Sequence, residues 1–435
     1  MDDTEAPPSY NPRISVLSEP PVYSNEENQP PPIEATAPAR SNLGSLTAKT
    51  FTYEMKNFFN KTWATLTIGG DGRLSRDTPV FLEGATIEGS VKLNLRSRDA
   101  ITSVCVFFYG VLITSGDPPE ESMFMNKRHF VWVARWGDPR APRIPTPDNP
   151  VPLWTEKLRG EYDFPFSIQL PEYTTHPKDS AGVYRLPHTF IDGRSRGSIH
   201  YNLGLYIHRN SKLASDDQFS VPYGYFSMRQ PPKPSLPRQL ALQNNTPIPG
   251  PVEDPQGWHA FSPVLIRGRV FGERDVEFQC SAFLANPLSY TRTTSIPCAI
   301  TFECDDEQAL DLLASMKTSV LYLQRRVTCT FHGSSTHVQP SGKAVWWPST
   351  DATAPRDPRS RHLMGEIALS GQLAPTSAIS LFSVEYTVVL FPPDVVAFEA
   401  SASGQLATQT VEITTRFPAG PRPPQSVAPT QAHTS

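Results

Sequence analysis

Residues 80–115 constrain the fold of this chain more than any other stretch, because they follow two strand patterns in succession. Between residues 87 and 95 apolar and polar side chains alternate strictly, which predicts a strand with one solvent-exposed face. Residues 96–99 are polar and predict a turn. In residues 101–113 apolar side chains occupy both faces of the strand, which predicts a central strand covered on both sides. An exposed strand followed by a buried one is typical of an antiparallel β-sandwich.

The rest of the chain repeats these strand patterns, and helical periodicity is nearly absent. Residues 305–307 are acidic and precede a short apolar segment, so we expect them to cap a short helix. The polar stretch 174–196 predicts a loop. Further strands are predicted at residues 51–55, 61–68, 127–136, 160–170, 198–209, 276–284, 296–302, 318–331, 363–373, 379–391 and 410–417. Such a series of short strands predicts an all-β protein built of antiparallel sandwiches.

The length of 435 residues and the 46 prolines favour two folded domains with proline-rich segments around them. In residues 1–48 seven acidic residues face two basic ones and aliphatic residues are sparse, which predicts a disordered tail. The proline-rich stretch 229–257 predicts an extended connector. The predicted domains are therefore 49–228 and 258–417, and residues 418–435 are predicted to form a second disordered tail.

The composition excludes several classes of protein. A net charge of −4 argues against nucleic acid as a partner, since that ligand requires a basic face. No apolar run approaches the ~20 residues of a membrane-spanning helix, and the acidic, proline-rich first residues are unlike a signal peptide. Five cysteines without a CxxC pair favour buried thiols in a reducing compartment over a metal or disulfide framework. We expect a soluble, cytoplasmic protein.

The motifs of catalysis and cofactor binding argue against an enzyme. The motifs HExxH and GxxxxGK are absent, and we expect no hydrolase elbow, no metal and no cofactor. The acidic residues show no paired arrangement that the sequence localises. We therefore predict that the protein is not an enzyme. An enzyme whose catalytic residues are scattered along the chain stays an open alternative.

A family resemblance rests on a series of phrases: VFLEGATIEGSVKL, ITSVCVFFYGVL, FPFSIQLPE, GSIHYNLGLYIHR, RRVTCTFHG, IALSG, FSVEYTVVL and QTVEITTRF. In this order they resemble the arrestin superfamily, and within it the fungal α-arrestins, or arrestin-related trafficking adaptors. The resemblance covers residues 50–417. It implies two antiparallel immunoglobulin-like β-sandwiches, the arrestin N and C domains, joined by a short connector.

Two PPxY motifs within residues 1–48 add a function to the fold. In the α-arrestins such motifs recruit the WW domains of HECT-type ubiquitin ligases. Adjacent prolines favour the polyproline II helix, so little conformational entropy is lost when they stack on the aromatic residues of a WW groove. The tyrosine enters an adjacent pocket. The predicted WW-binding residues are Pro7, Pro8, Tyr10, Pro20, Pro21 and Tyr23.

The resemblance implies an adaptor between a WW-domain ligase and a transmembrane transporter or receptor, promoting ubiquitination, endocytosis and sorting of that cargo. The adaptor would be recruited through its cargo to the plasma membrane and endosomes. Many α-arrestins carry PPxY motifs after the second domain, whereas both motifs precede the first domain here. The open alternatives are a signalling scaffold, for example in ambient-pH sensing, a retromer-like sorting component, and a ligand-binding β-sandwich.

The tandem motifs predict avidity. Tyr10 and Tyr23 are 13 positions apart, and a flexible chain of that length spans about 20 Å. One ligase with two WW domains can then bind both motifs. A peptide with both motifs should bind a tandem WW protein about 10² times more tightly than a peptide with one. Calorimetric titration measures the ratio, and equal affinities would leave two redundant sites.

Overall fold

The structure is a computed structural model that describes residues 48–71, 75, 77–116, 118–176, 179–210, 215–316, 318–331, 333–349 and 357–426. Strands dominate these residues, and the α-helices among them are α1 (Leu236–Asn244) and α2 (Glu307–Leu313). The predicted all-β class is confirmed. No helix in the described ranges is long and apolar enough to cross a membrane.

The first eleven strands form two sheets and a separate hairpin. They are β1 (Ala48–Lys56), β2 (Thr62–Asp71), β3 (Val80–Leu82), β4 (Thr86–Asp99), β5 (Ile101–Thr114), β6 (Glu121–Val133), β7 (Leu158–Gln169), β8 (Tyr173–His176), β9 (Asp179–Arg185), β10 (Gly197–Arg209) and β11 (Asp217–Phe226). One sheet has the order β1-β2-β4-β7 and the other the order β3-β11-β10-β5-β6. Neighbours are antiparallel except β3 and β11, which run parallel.

Consecutive strands β4 and β5 lie in different sheets, and their inward side chains meet in one core. On β4 the alternation predicted from the sequence is confirmed, since Ile87, Val91 and Leu93 are buried while the residues between them face outward or are half-buried. The predicted turn at 96–99 is wrong. Strand β4 continues to Asp99 through an irregularity in its pairing with β7, and such irregularities let a strand bend from one sheet to the next.

Strand β5 is central in its sheet, as predicted, but one of its two faces is only partly buried. It lies between β10 and β6, and its inward residues Val104, Val106 and Phe108 are fully buried. On the outer face Phe107 and Tyr109 are only half-buried. The prediction of two covered faces is therefore wrong for the outer face, because aromatic side chains also occupy partly exposed positions.

Two further predictions in this half need correction. The sequence predicts one regular strand over residues 127–136, in which Phe130 and Trp132 would lie on the same face. Strand β6 instead bulges between these residues, so Trp132 is buried while Phe130 is 38% exposed. The stretch 174–196, predicted as a loop, contains most of the β8–β9 hairpin, because its threonines, valine and tyrosine favour strands despite the polar neighbours.

The second half of the chain folds into one long sheet. Its strands are β12 (Trp258–Ala260), β13 (Val264–Val270), β14 (Arg274–Ala285), β15 (Ser289–Thr291), β16 (Ser295–Glu303), β17 (Ser319–Cys329), β18 (Ser335–Pro348), β19 (Ser360–Ala368), β20 (Ser377–Ile379), β21 (Phe382–Asp394), β22 (Phe398–Ala400) and β23 (Ala407–Thr414). The sheet order is β15-β23-β21-β17-β18-β19-β16-β14-β13-β22, with β12 beside β14 and β20 beside β21.

Strand β18 connects the two layers of this sheet. Its first part pairs with β17 and its last five residues pair with β19. The inward residues of both layers, such as Phe278 on β14 and Leu323 on β17, belong to the same buried cluster. The sequence did not predict β11, β13 or β18; Pro222, Gly268 and Pro340 interrupt their patterns, since proline and glycine are uncommon inside strands.

The predicted extended connector, residues 229–257, is wrong in its central part, where α1 forms. Pro237 lies in the first turn of α1, a position that tolerates its missing N–H, and Asn245 ends the helix in the left-handed conformation. The buried Arg238 donates to the carbonyl oxygens of Asn286 and Gly257, which attaches α1 to the second half. The prediction for α2 is confirmed, since Asp306 accepts from the Ala309 N–H at 3.0 Å.

A prediction about packing concerns Gly89 on β4. A Cβ atom at this position would lie 2.2 Å from the Thr67 carbonyl oxygen and 2.6 Å from the Phe166 ring. Gly89→Ala should therefore lower the free energy of unfolding by about 1–3 kcal/mol. Gly69→Ala on β2 is the matched control, because its Cβ would meet only the Glu88 oxygen at 3.5 Å. Urea denaturation compares the variants, and equal effects would contradict the packing argument.

Candidate functional site

The predicted WW-binding residues lie outside the described part of the chain. Pro7, Pro8, Tyr10, Pro20, Pro21 and Tyr23 all precede Ala48, where the described residues begin. The structure therefore tests neither their conformation nor their accessibility, and they stay predictions. Within the described residues the clearest site is the junction between the sheets of the first half and the long sheet of the second half.

An ion pair and an aromatic pair form this junction, and we call these four residues the Asp192 clasp: Phe190, Asp192, Arg325 and Phe382. A carboxylate oxygen of Asp192, in the loop before β10, accepts from the Arg325 guanidinium on β17. The side chains of Arg325 and Asp192 are only 9% and 17% exposed. The Phe190 and Phe382 ring centroids are 5.3 Å apart, and the guanidinium lies over the Phe190 ring at 5.6 Å.

Local hydrogen bonds position Asp192 for this contact. The other carboxylate oxygen accepts from the Arg194 N–H at 3.0 Å, and the Ser195 N–H donates to the Asp192 carbonyl oxygen at 3.1 Å. These bonds make a tight turn typical of aspartate. The turn leads directly into Gly197, whose α-carbon lies against Cys329 and Phe382 so closely that a Cβ atom would be 3.1 Å from both side chains.

Residues 193–197 of this turn read Gly-Arg-Ser-Arg-Gly, a GxSxG sequence. A hydrolase elbow places its serine on an exposed strand-to-helix turn. Here the turn precedes a strand, and Ser195 is buried with its hydroxyl 3.1 Å and 2.8 Å from the carbonyl oxygens of Asp192 and Gly197. The geometry is that of a structural turn and not of a nucleophile.

The electrostatics of the clasp favour the charged carboxylate. Burial raises the pKa of Asp192, but the Arg194 N–H and the Arg325 charge outweigh that effect and hold this pKa below its ordinary value. Two nitrogens in this region, Arg325 Nε and His337 Nε2, are buried without a hydrogen-bond partner among the described residues. The clasp is therefore a desolvated ion pair whose remaining donors are incompletely satisfied.

A second contact between the two halves places the Arg292 guanidinium over the Phe226 ring at 5.8 Å, beside a buried histidine. The ring of His188 packs edge-on against Phe226 with the centroids 4.4 Å apart. Burial and the positive charge of Arg292 lower the pKa of His188 to about 3. The imidazole is therefore neutral near physiological pH, and it acts in packing and not as a proton carrier.

The cysteine side chains are poor nucleophiles. The five thiols, Cys105, Cys280, Cys298, Cys304 and Cys329, are all buried and free. Burial raises the pKa of Cys105 to about 11 and that of Cys280 to about 12, so the reactive thiolate is scarce at neutral pH. Over the described ranges, no group of three or more histidine, cysteine, aspartate or glutamate residues is arranged to hold a metal ion.

The outer face of β5 and its neighbours carries partly exposed aromatic side chains. Phe107 and Tyr109 are stacked there with their centroids 6.1 Å apart, and Phe130 of β6 adds a partly exposed ring. Tyr206 of β10 donates its hydroxyl to Asp216. Partly exposed aromatic residues with polar neighbours are typical of protein-binding surfaces.

Comparison with known proteins leaves the family open. No protein-family model matches the chain, and a search of curated proteins finds no matching sequence. The resemblance to the α-arrestins therefore rests on the sequence phrases alone and stays a prediction.

The Asp192 clasp predicts a pH-dependent stability. Asp192 has a folded-state pKa below its ordinary 3.8, so the ion pair stabilises the fold above that pH and is lost as the pH falls through the folded-state value. Asp192→Asn should lower the free energy of unfolding by about 3 kcal/mol at neutral pH, because Arg325 loses its buried partner. The difference from wild type should shrink below about pH 4.

The matched control for this variant is Asp275→Asn. Asp275 pairs with Arg269 at 3.1 Å but is 84% exposed, so its removal should cost only about 0–1 kcal/mol. Urea denaturation across the pH range compares the two variants. Equal and pH-independent losses in both would contradict the assignment of the clasp as a buried ion pair.

Proposed function

We propose that this protein is a non-enzymatic adaptor that recruits a WW-domain HECT-type ubiquitin ligase to a membrane transporter or receptor, promoting ubiquitination, endocytosis and sorting of that cargo. The observation that carries the proposal is the pair of PPxY motifs, ending at Tyr10 and Tyr23, in one short acidic and proline-rich segment. Each motif combines two prolines and a tyrosine at the spacing that WW domains bind.

The all-β architecture supports the proposal by supplying a rigid body with accessible surfaces. Its described sheets bury their inward side chains in a continuous core, whereas aromatic residues such as Phe107 and Tyr109 stay partly exposed on an outer face. An adaptor needs both parts: short linear motifs for the ligase and a folded surface for the cargo. The adaptor would act in the cytoplasm and on the plasma membrane and endosomes.

The chemistry of the described residues fits a binding role. The Cys105 and Cys280 thiols are protonated, His188 is neutral and the Ser195 hydroxyl is directed at carbonyl oxygens. The alternatives of a signalling scaffold and of a retromer-like sorting component use the same kind of fold. Neither alternative needs two PPxY motifs, and for this reason the ligase adaptor is preferred.

The experiment is affinity purification of the full chain from cells, with bound proteins and ubiquitination read by mass spectrometry. Tyr10→Ala/Tyr23→Ala should lose the ligase and keep the cargo, because the tyrosine pocket contacts are removed while the folded part is unchanged. Pro30→Ala/Pro31→Ala is the matched control, since this proline pair lies in the same segment and is not followed by a tyrosine at the required position.

Three outcomes are informative. Loss of the ligase and of cargo ubiquitination in the tyrosine variant alone supports the adaptor. Ligase recovery that is equal in wild type and in the tyrosine variant contradicts it. Recovery of signalling proteins or sorting-coat subunits without any ligase from the wild-type chain would favour one of the two alternatives.

A further inference from the structure

The turn between β1 and β2, residues 57–60, exposes two adjacent phenylalanines to an unusual degree. Phe58 is 97% exposed and Phe59 is 77% exposed. Their rings form an edge-to-face pair with the centroids 5.6 Å apart. Large apolar side chains at such exposure are costly in water unless a ligand covers them.

Hydrogen bonds within this turn satisfy part of its backbone. Asn57 and Asn60 donate their N–H groups to the carbonyl oxygens of Lys61 and Asn57 at 3.0 Å and 2.9 Å. The Asn57 side-chain oxygen accepts from the N–H groups of Phe59 and Lys61 at 3.0 Å and 3.1 Å. Four N–H groups therefore have partners without water, which lowers the penalty for placing the turn in an apolar medium.

The register of the sheet places basic residues at the same end. Ala64 of β2 pairs with Met55 of β1 and with Leu93 of β4, so the turn and the end of β4 project in the same direction. Arg96 and Arg98 lie three and five residues beyond Leu93, and both are exposed. Neither forms an ion pair with another residue that the structure describes.

Two lysines flank the turn. Lys61 is exposed, and Lys56 is close to Glu54 at 3.7 Å. Among the nearby acids, Asp99 and Asp217 share Arg209 at 2.8 Å and 2.6 Å, and Glu161 accepts from Asn94 at 3.2 Å. This end of the sheet therefore combines an apolar apex with exposed basic side chains at Lys61, Arg96 and Arg98, and apolar and basic groups together bind an anionic lipid surface.

We propose that Phe58 and Phe59 insert into the interface of a lipid bilayer while Lys61, Arg96 and Arg98 contact anionic headgroups. A bilayer suits this shape because the apex is a narrow protrusion with both rings pointing away from the protein, and aromatic rings partition to the membrane interface. The contact is independent of the PPxY motifs and of cargo, so it goes beyond the proposed adaptor function.

Flotation of the purified full chain with phosphatidylcholine vesicles, with or without phosphatidylserine, tests the proposal. Wild type should bind the anionic vesicles. Phe58→Ser/Phe59→Ser should bind at least about tenfold more weakly, since two large rings leave the membrane. Arg96→Gln/Arg98→Gln should weaken binding to anionic vesicles by about tenfold or more and should have little effect on neutral vesicles.

The matched control for the phenylalanine variant is Leu153→Ser/Val183→Ser, which removes two apolar side chains that are 62% and 70% exposed elsewhere on the surface. It should bind anionic vesicles as wild type does. Circular dichroism should show unchanged melting for both variants, because the replaced side chains lie outside the core. Tyr10→Ala/Tyr23→Ala should also bind vesicles normally, which separates this proposal from the ligase adaptor.

A fluorescent label at position 58 measures the insertion of the turn into the bilayer directly. Phe58→Cys can be labelled with an environment-sensitive dye, because the five native cysteines are buried. The dye emission should shift to the blue when anionic vesicles are added. Absence of wild-type binding, absence of the shift, or equal binding by Phe58→Ser/Phe59→Ser would each overturn the proposal. Loss of a dimer in that variant, with vesicle binding unchanged, would identify a second copy of the chain as the occupant.

Discussion

The passage of the chain from β4 to β5 is the constraint on which the first half of the structure depends. Only Ala100 separates the two strands, yet they lie in different sheets. The chain bends where β4 loses its regular pairing with β7 between Leu95 and Asp99. This bend brings the buried face of β4 opposite Val104 and Phe108 of β5. All other strands of these two sheets are placed by pairing outward from β4 and β5.

Buried ion pairs connect parts of the protein that the pairing of strands does not connect. The Glu83 carboxylate is 4% exposed and accepts from the Arg185 side chain and from the Met228 N–H, so it joins the end of β3, the β8–β9 hairpin and the chain after β11. The Asp192 clasp has the same role between the two halves. Such pairs add orientation to a core whose hydrophobic contacts are not directional.

The surfaces of this protein differ in a way that suits several separate contacts. The end of the first sheet near Phe58 is apolar at its apex and basic around it. The outer face near Phe107 is aromatic and partly polar. The PPxY segment is acidic and rich in proline. Residues 418–426, by contrast, lie against the second half, where Pro418 and Pro423 line a cleft with Arg238 and Tyr290. Function is therefore to be sought on these surfaces, since the buried groups serve packing.

Local patterns in the sequence determined the strand class, the alternation of β4, the cap of α2 and the buried thiols, because each depends on neighbouring residues and on burial preference. They also supplied the PPxY motifs. Only the tertiary structure decided the bend at residues 96–99, the helix within residues 229–257 and the meeting of Asp192 with Arg325, 133 positions away. Sheet order and register bring distant residues together, and a local pattern of apolar side chains specifies neither.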